Sequence, residues 1–180
     1  PFNLAIADAR VTRLTMTNAG AKTVIDDVRF KLNGNKQQWE LRDASALTPW
    51  GRATASGTIG SMRPFKLDAA ATLVQTQVKA GQAPAQLSIR AGGDLVATQI
   101  NAAGQAGKAV GDMRLTLAPF EPVPLRALAL KGRNINPGFF NPALPAADLS
   151  MSVNAQIDPK KAISGTVDIA NDGKVGPIDK

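Results

Sequence analysis

From residue 52 the chain alternates one residue at a time. Ala53, Ala55, Gly57 and Ile59 fall on one side, and Arg52, Thr54, Ser56 and Thr58 fall on the other. A period of two is the mark of a strand with one dry and one wet face. Gly60, Ser61, Met62, Arg63 and Pro64 interrupt it with turn chemistry. Phe65, Leu67, Ala69, Ala71 and Leu73 then resume the apolar side against Lys66, Asp68, Ala70 and Thr72. The pattern predicts a hairpin of two long strands. A dry face made partly of Ala and Gly leaves room that Leu or Val would fill, so this sheet is expected to bury something other than itself.

The same rule runs through the rest of the chain. Leu4 and Ile6 open it, and Val11, Leu14 and Met16 follow with a change of phase between Val11 and Leu14. That change predicts a bulge, or a join between two short strands at Ala7-Asp8-Ala9. Asn18-Ala19-Gly20 turns the chain. Val28, Phe30 and Leu32 then alternate with Arg29 and Lys31 up to Asn33-Gly34-Asn35, a strong hairpin signal. Trp39 and Leu41 oppose Glu40 and Arg42, and Thr48-Pro49-Trp50-Gly51 marks the next corner.

After the central hairpin, residues 74–83 form a soft polar connection, and Leu87, Ile89 and Ala91 begin a strand that Gly92-Gly93 is expected to break. Leu95 and Ala97 are out of phase with Ile100 and Ala102, which predicts a bulge or bend. Met113, Leu115 and Leu117 alternate with Asp112, Arg114 and Thr116 until residues 119–124 stop strand propagation with three prolines. Residues 125–130 suit a helical face and a strand equally. Residues 136–142 lack period two and predict a short helix or lid-like loop, or else a plug over one end of the sheet. Leu149, Met151, Val153, Ala155 and Ile157 alternate without fault, Asp158-Pro159-Lys160-Lys161 turns, and Ile163, Gly165, Val167 and Ile169 repeat the pattern.

Two short echoes suggest serial repetition. Ser56-Gly57-Thr58-Ile59 recurs as Ser164-Gly165-Thr166-Val167. Leu87-Ser88-Ile89 recurs as Leu149-Ser150-Met151, each after a Pro-Ala corner. The count comes to about ten strands, an all-β chain in which one sheet can form a sandwich, a closed barrel or an open curved sheet. A sandwich of this size would carry more large aliphatic and aromatic residues inside. Ten strands at ~4.8 Å spacing would make a sheet roughly 50 Å long, several times the ~15 Å depth of one hydrocarbon leaflet. A folded sheet of that length could sheath an acyl chain, held by burial at ~25 cal/mol per Å² with no directional bond to escape.

Composition removes other classes. With no His and no Cys among 180 residues, imidazole acid-base chemistry, Cys-His nucleophiles and His- or Cys-ligated zinc are unavailable, and no disulfide can set the fold. Asp26-Asp27 is the one adjacent acidic pair. Neighbouring strand residues point to opposite faces, so the pair reads as a solvated strand start and not as a shared-proton dyad. Gly104 to Lys108 resembles a phosphate loop faintly, lacks its spacing, and reads as a hairpin turn. The formal charge of +7 is dispersed singly along wet faces. With aromatics at 4% and no Tyr there is no stacking platform, so nucleic acid is not an expected partner. No cofactor and no metal site is indicated. Starting at Pro1 without an initiator Met, the chain reads as one β-groove domain spanning residues 1–180, a fragment of a longer repetitive protein.

Three segments carry a family resemblance. Leu47-Thr48-Pro49-Trp50-Gly51 leads to a Gly-x-Ile strand and Arg63-Pro64-Phe65. Leu117-Ala118-Pro119-Phe120 precedes a Leu-rich stretch, and residues 165–171 run into Gly176-Pro177. Together they resemble the TamB family of the translocation and assembly module, within the wider group of AsmA-like, repeating β-groove proteins. The resemblance implies an elongated, curved, mostly antiparallel sheet folded like a taco around a greasy interior. It implies a periplasmic segment of a protein anchored in the inner membrane of a Gram-negative bacterium, moving phospholipid toward the outer membrane. It further implies an outer-membrane barrel partner, TamA, and a part in assembling unfolded outer-membrane proteins and autotransporters. It supplies no catalytic residues.

The alternation itself assigns the groove lining. Phe30, Leu32, Trp39, Leu41, Ile59, Phe65 and Leu67 come from the first half of the chain. Met113, Leu115, Leu117, Leu149, Met151, Val153, Val167 and Ile169 come from the second.

Overall fold

The computed structural model describes residues 3–18, 21–78, 83–140, 143–158 and 162–173, the side chains of Phe139 and Phe140 excepted. Among them are eleven strands. These are β1 (Leu4–Asn18), β2 (Ala21–Gly34), β3 (Gln38–Thr48), β4 (Gly51–Gly60), β5 (Lys66–Val74), β6 (Gln86–Asp94), β7 (Thr98–Ala106), β8 (Ala109–Leu117), β9 (Leu125–Ile135), β10 (Leu149–Ile157) and β11 (Ile163–Asn171). One helical turn, α1 (Pro137–Phe140), lies between β9 and β10. Each strand pairs antiparallel with the next in sequence, giving one eleven-stranded sheet that does not close on itself. The protein is all-β, an open curved sheet.

The count exceeds ten because residues 125–130 are strand. Ala127, Leu128, Ala129 and Leu130 pair with both β8 and β10, so two full ladders decide what local pattern left open. The helix in residues 136–142 is the short one expected, with the Asn136 side chain accepting from the Gly138 N–H at 3.0 Å, although residues 141 and 142 lie outside the described set. Gly92-Gly93 does not break its strand. β6 runs through to Asp94, whose carboxylate accepts the N–H groups of Val96 and Ala97 at 2.8 and 2.9 Å. The phase slip at Leu95 and Ala97 is therefore a hairpin turn, not a bulge. Gly93 has φ 101°, and a Cβ there would sit 2.5 Å from the Ala97 carbonyl.

At three points inside strands the structure inserts a residue in the left-handed conformation. Asp27, Asp43 and Asn134 have φ of 50°, 51° and 54°, values that Asp and Asn tolerate better than other side chains. Beside Asp43 the pairing steps from Leu41↔Gly57 to Ala44↔Ala55, three residues against two. Beside Asn134 it steps from Gly132↔Met151 to Ile135↔Leu149. Each extra residue returns the next apolar side chain to the face it would otherwise leave. β1 is one strand with a register shift between Ile6 and Ala9, and its pairing with β2 skips the step at Asp27. Asp26 and Asp27 thus lie within β2, not at its start, and each meets an arginine: Arg13 at 2.7 Å and Arg29 at 2.8 Å.

The echoes divide. β4 and β11 are seven strands apart in a strictly alternating sheet and run in opposite directions, so the Ser-Gly-Thr words are not a structural repeat. β6 and β10 run the same way. The turns at Ala19-Gly20 and residues 159–161, part of the 74–83 connection, and Gly176-Pro177 lie outside the described residues.

No second layer of described residues covers the sheet: strands touch appreciably only their sequence neighbours. Among the described residues no side chain is fully buried, and those on the apolar face are half-exposed. Cohesion therefore comes from the backbone ladder and from side chains packed sideways across adjacent strands.

Asn134→Val should lower stability to urea by about 1–2 kcal/mol relative to Asn134→Gly, since a β-branched residue resists the left-handed conformation. Equal midpoints for the two variants would show that the Asn134 bulge is not what holds Ile135 in phase.

Candidate functional site: an apolar groove

Cross-strand pairing sorts the inward side chains into rows that run along the sheet, perpendicular to the strands. The first joins Trp39, Ile59, Leu67, Gly93, Thr98, Leu117 and Leu125 from β3 to β9. The second runs Ile6, Leu32, Leu41, Gly57, Ala69, Ala91, Ile100, Leu115, Leu128, Ala155, Gly165, from β1 to β11 without a gap. The third links Ala55, Ala71, Ile89, Ala102, Met113, Leu130, Val153 and Val167. The fourth links Leu73, Leu87, Gly104, Gly111, Gly132, Met151 and Ile169. Across these rows Thr98 is the one polar side chain, and it is turned to its own backbone, donating to the Asp94 carbonyl at 2.6 Å.

Thirteen of the fifteen residues assigned from alternation fall in these rows or, for Leu149, beside them opposite Ile135. Phe30 pairs with Ala9 and sits two residues from Leu32 on the same strand. Phe65 lies outside the strands, in the turn before β5, where its ring packs 6.1 Å from that of Phe120. Leu128 and Leu130 were not among the fifteen because the segment carrying them read equally as helix. Leu73, Leu87, Ile89 and Ile100 showed the right alternation and belong to the same rows.

Among the described residues, two hollows on this face are well defined. The larger, about 830 Å³, is lined from Leu73 on β5, across Leu87, Gly104, Gly111 and Gly132, to Met151 on β10. Six adjacent strands span about 24 Å, so the face is concave along the sheet and not merely dimpled. Its floor is glycine. The Trp50 side chain, otherwise exposed at the β3–β4 turn, stands at its side. No alternation could have flagged Trp50, since it sits in a turn. The smaller hollow, about 340 Å³, gathers Leu32, Trp39, Leu41, Ile59 and Leu67. Beside it the Trp39 ring lies on Gly34, where a Cβ would come within 2.3 Å of the indole.

The opposite face is polar. Thr54 and Thr72 share a hydrogen bond at 2.7 Å, and a depression of about 870 Å³ there carries Asp112, Lys131, Ser152 and Asp168 together, with no prevailing charge. On β2 and β3 Lys31 reaches Asp43 at 2.6 Å and Arg42 reaches Glu40 at 2.6 Å. The hydrogen bond from Lys31, reinforced by its charge, holds the Asp43 carboxyl below its ordinary range, and the one from Arg42 does the same for Glu40. These pairs are open to water and contribute little to stability.

No protein-family model, no curated protein and no solved structure matches this chain.

Two outcomes test this geometry. Gly111→Leu, which fills the floor, should cut uptake of the apolar dye diphenylhexatriene at least severalfold, while Ser56→Leu on the other face leaves it unchanged. The depressed carboxyls contribute stability that is present above the ordinary carboxylate range and lost as pH falls through their folded-state values. The urea midpoint should hold from neutral pH to about 5 and fall below about 4, with a slightly shallower fall in Asp43→Asn. Identical acid limbs would deny the Lys31–Asp43 pair any part in it.

Proposed function

We propose that this chain is a section of a non-enzymatic hydrophobic conduit that carries phospholipid between the inner and outer membranes of a Gram-negative envelope, as a TamB-like protein would. One observation carries this: a sheet of eleven strands keeps an apolar face along its whole length, and among the described residues no second layer covers it. Eleven strands extend about 48 Å, enough to shield acyl chains over several leaflet depths. A row of Leu, Ile, Met, Ala and Gly attracts hydrocarbon through burial alone, so a chain can slide from one strand to the next without breaking a hydrogen bond. In this reading the segment is periplasmic, its anchor lies elsewhere in a longer protein, and TamA receives its far end.

The edges favour a second reading. Among the described strands β1 and β11 each have one neighbour, and β11 leaves Ile163 74% exposed along the edge of the sheet. An extended segment of an unfolded outer-membrane protein could add there as a further strand, making the chain a chaperone-like scaffold.

Leu115→Asp or Met151→Asp places a charge in the second or fourth row. Either should strip co-purifying phospholipid, measured by mass spectrometry of extracts, while leaving peptide pairing at the edge intact. Full phospholipid loading in both variants would refute the conduit. Pro at Thr166 and, separately, at Val167 should do the reverse, because one of the two N–H groups must face the open edge.

A further inference from the structure

Among the described residues, glycines aside, the buried side chains are Thr98, 3% exposed, and Ala118, 9% exposed, and both lie at one end of the strands. There the turns after β4, β6 and β8 come together, residues 61–65, 95–97 and 118–124. The Leu95 N–H donates to the Pro64 carbonyl at 3.1 Å, tying two turns, and the Ala118 N–H donates to the Pro124 carbonyl at 2.7 Å, closing the third. Phe65 is held at φ 58°, a conformation bulky residues rarely adopt, with its N–H on the Met62 carbonyl at 2.8 Å. In a sheet with so little packing, this rim is the built part.

Two guanidinium groups occupy it. Arg63 stacks 5.5 Å over the Phe120 ring, which in turn packs on Phe65, and has no carboxylate partner among the described residues. Arg126, 21% exposed at its side chain, reaches Glu121 at a long 3.5 Å, and its Nη1 is buried without a hydrogen-bond partner. A buried cationic N–H without an acceptor is costly. Lys66 and Asp94 stand opposite each other on β5 and β6, and Glu121 offsets Arg126, so the charge left uncompensated is that of Arg63. Immediately inside the rim lie Leu67, Leu117 and Leu125 of the first apolar row.

We propose that Arg63 and Arg126 bind the phosphodiester of an anionic phospholipid whose acyl chains enter the groove beside them. The proposal rests on the conduit reading and names its cargo. A phosphodiester offers the paired acceptor oxygens that a guanidinium fork matches, and Arg63, held over Phe120 with no hydrogen-bond acceptor among the described residues, has N–H groups to donate. With one net positive charge at the rim, a headgroup such as phosphatidylglycerol is favoured. The ammonium of a zwitterionic headgroup would add positive charge beside Arg63.

The test offers the purified chain pyrene-labelled phosphatidylglycerol or phosphatidylcholine of identical acyl composition in phosphatidylcholine vesicles. The parent should prefer phosphatidylglycerol by about tenfold, the scale of one charge-assisted hydrogen bond. Arg63→Gln with Arg126→Gln should lower phosphatidylglycerol uptake far more than phosphatidylcholine uptake and so abolish the preference, with the far-ultraviolet circular dichroism unchanged. Arg63→Lys should retain part of it. A parent without preference, a double variant that keeps it, or an equal fall for both lipids overturns the proposal. Loss of the preference to inorganic phosphate at the lipid's own concentration would mean a free-anion site and overturns it too. A parent that takes up neither label sinks the conduit itself, and the headgroup site with it.

Discussion

The backbone ladder between consecutive strands is what every other feature depends on. In most domains of this length a second layer lies over the apolar face, and side-chain packing between layers supplies much of the stability. Here each strand has its neighbours and little else, so the ladder must hold both the fold and the rows of side chains across it. That places a strict demand on register, because a slip of one residue would send an entire apolar set to the wet face.

The left-handed residues answer that demand. Asp43 and Asn134 each occur where the apolar phase would drift off the inner face, and each restores it by adding one residue to one strand only. The acidic residues among them also meet bases on the outer surface, Asp27 with Arg29 and Asp43 with Lys31, so one side chain serves backbone geometry and surface charge together. Charge is thereby kept outside, and the inner rows carry hydrocarbon, glycine and a single hydroxyl that is already satisfied.

Curvature and floor size work together. Gly104, Gly111 and Gly132 stand side by side on three adjacent strands, and the larger hollow opens above them. At Gly132 the Ile135 and Met151 side chains already close over the backbone, so a Cβ built there would meet them at 2.7 and 3.3 Å and a larger residue would not fit. The rim differs in kind: its turns are cross-tied, its two aromatic rings packed at a tilt of 57°, and its cations placed where the apolar surface ends. A hydrocarbon trough bordered by guanidinium groups matches the two chemistries of a phospholipid, tail and phosphate.

The alternation of residues by itself determined that the chain is a succession of antiparallel strands, where most turns fall and which side chains share a face, because a period of two is a local property of extended backbone. It misplaced the bulge in β1, which lies between Ile6 and Ala9 and not after Val11. It could not decide residues 125–130, where strand and helix fit equally, nor distinguish the turn after Asp94 from a bulge, because partners on neighbouring strands settle both. Tertiary structure alone decided that the sheet stays open and single-layered, that three glycines align into one floor, and that Arg63 and Phe65 meet Phe120. Phe120 belongs to another turn than Arg63 and Phe65, and only the stacking of successive hairpins brings distant turns to one end of a sheet.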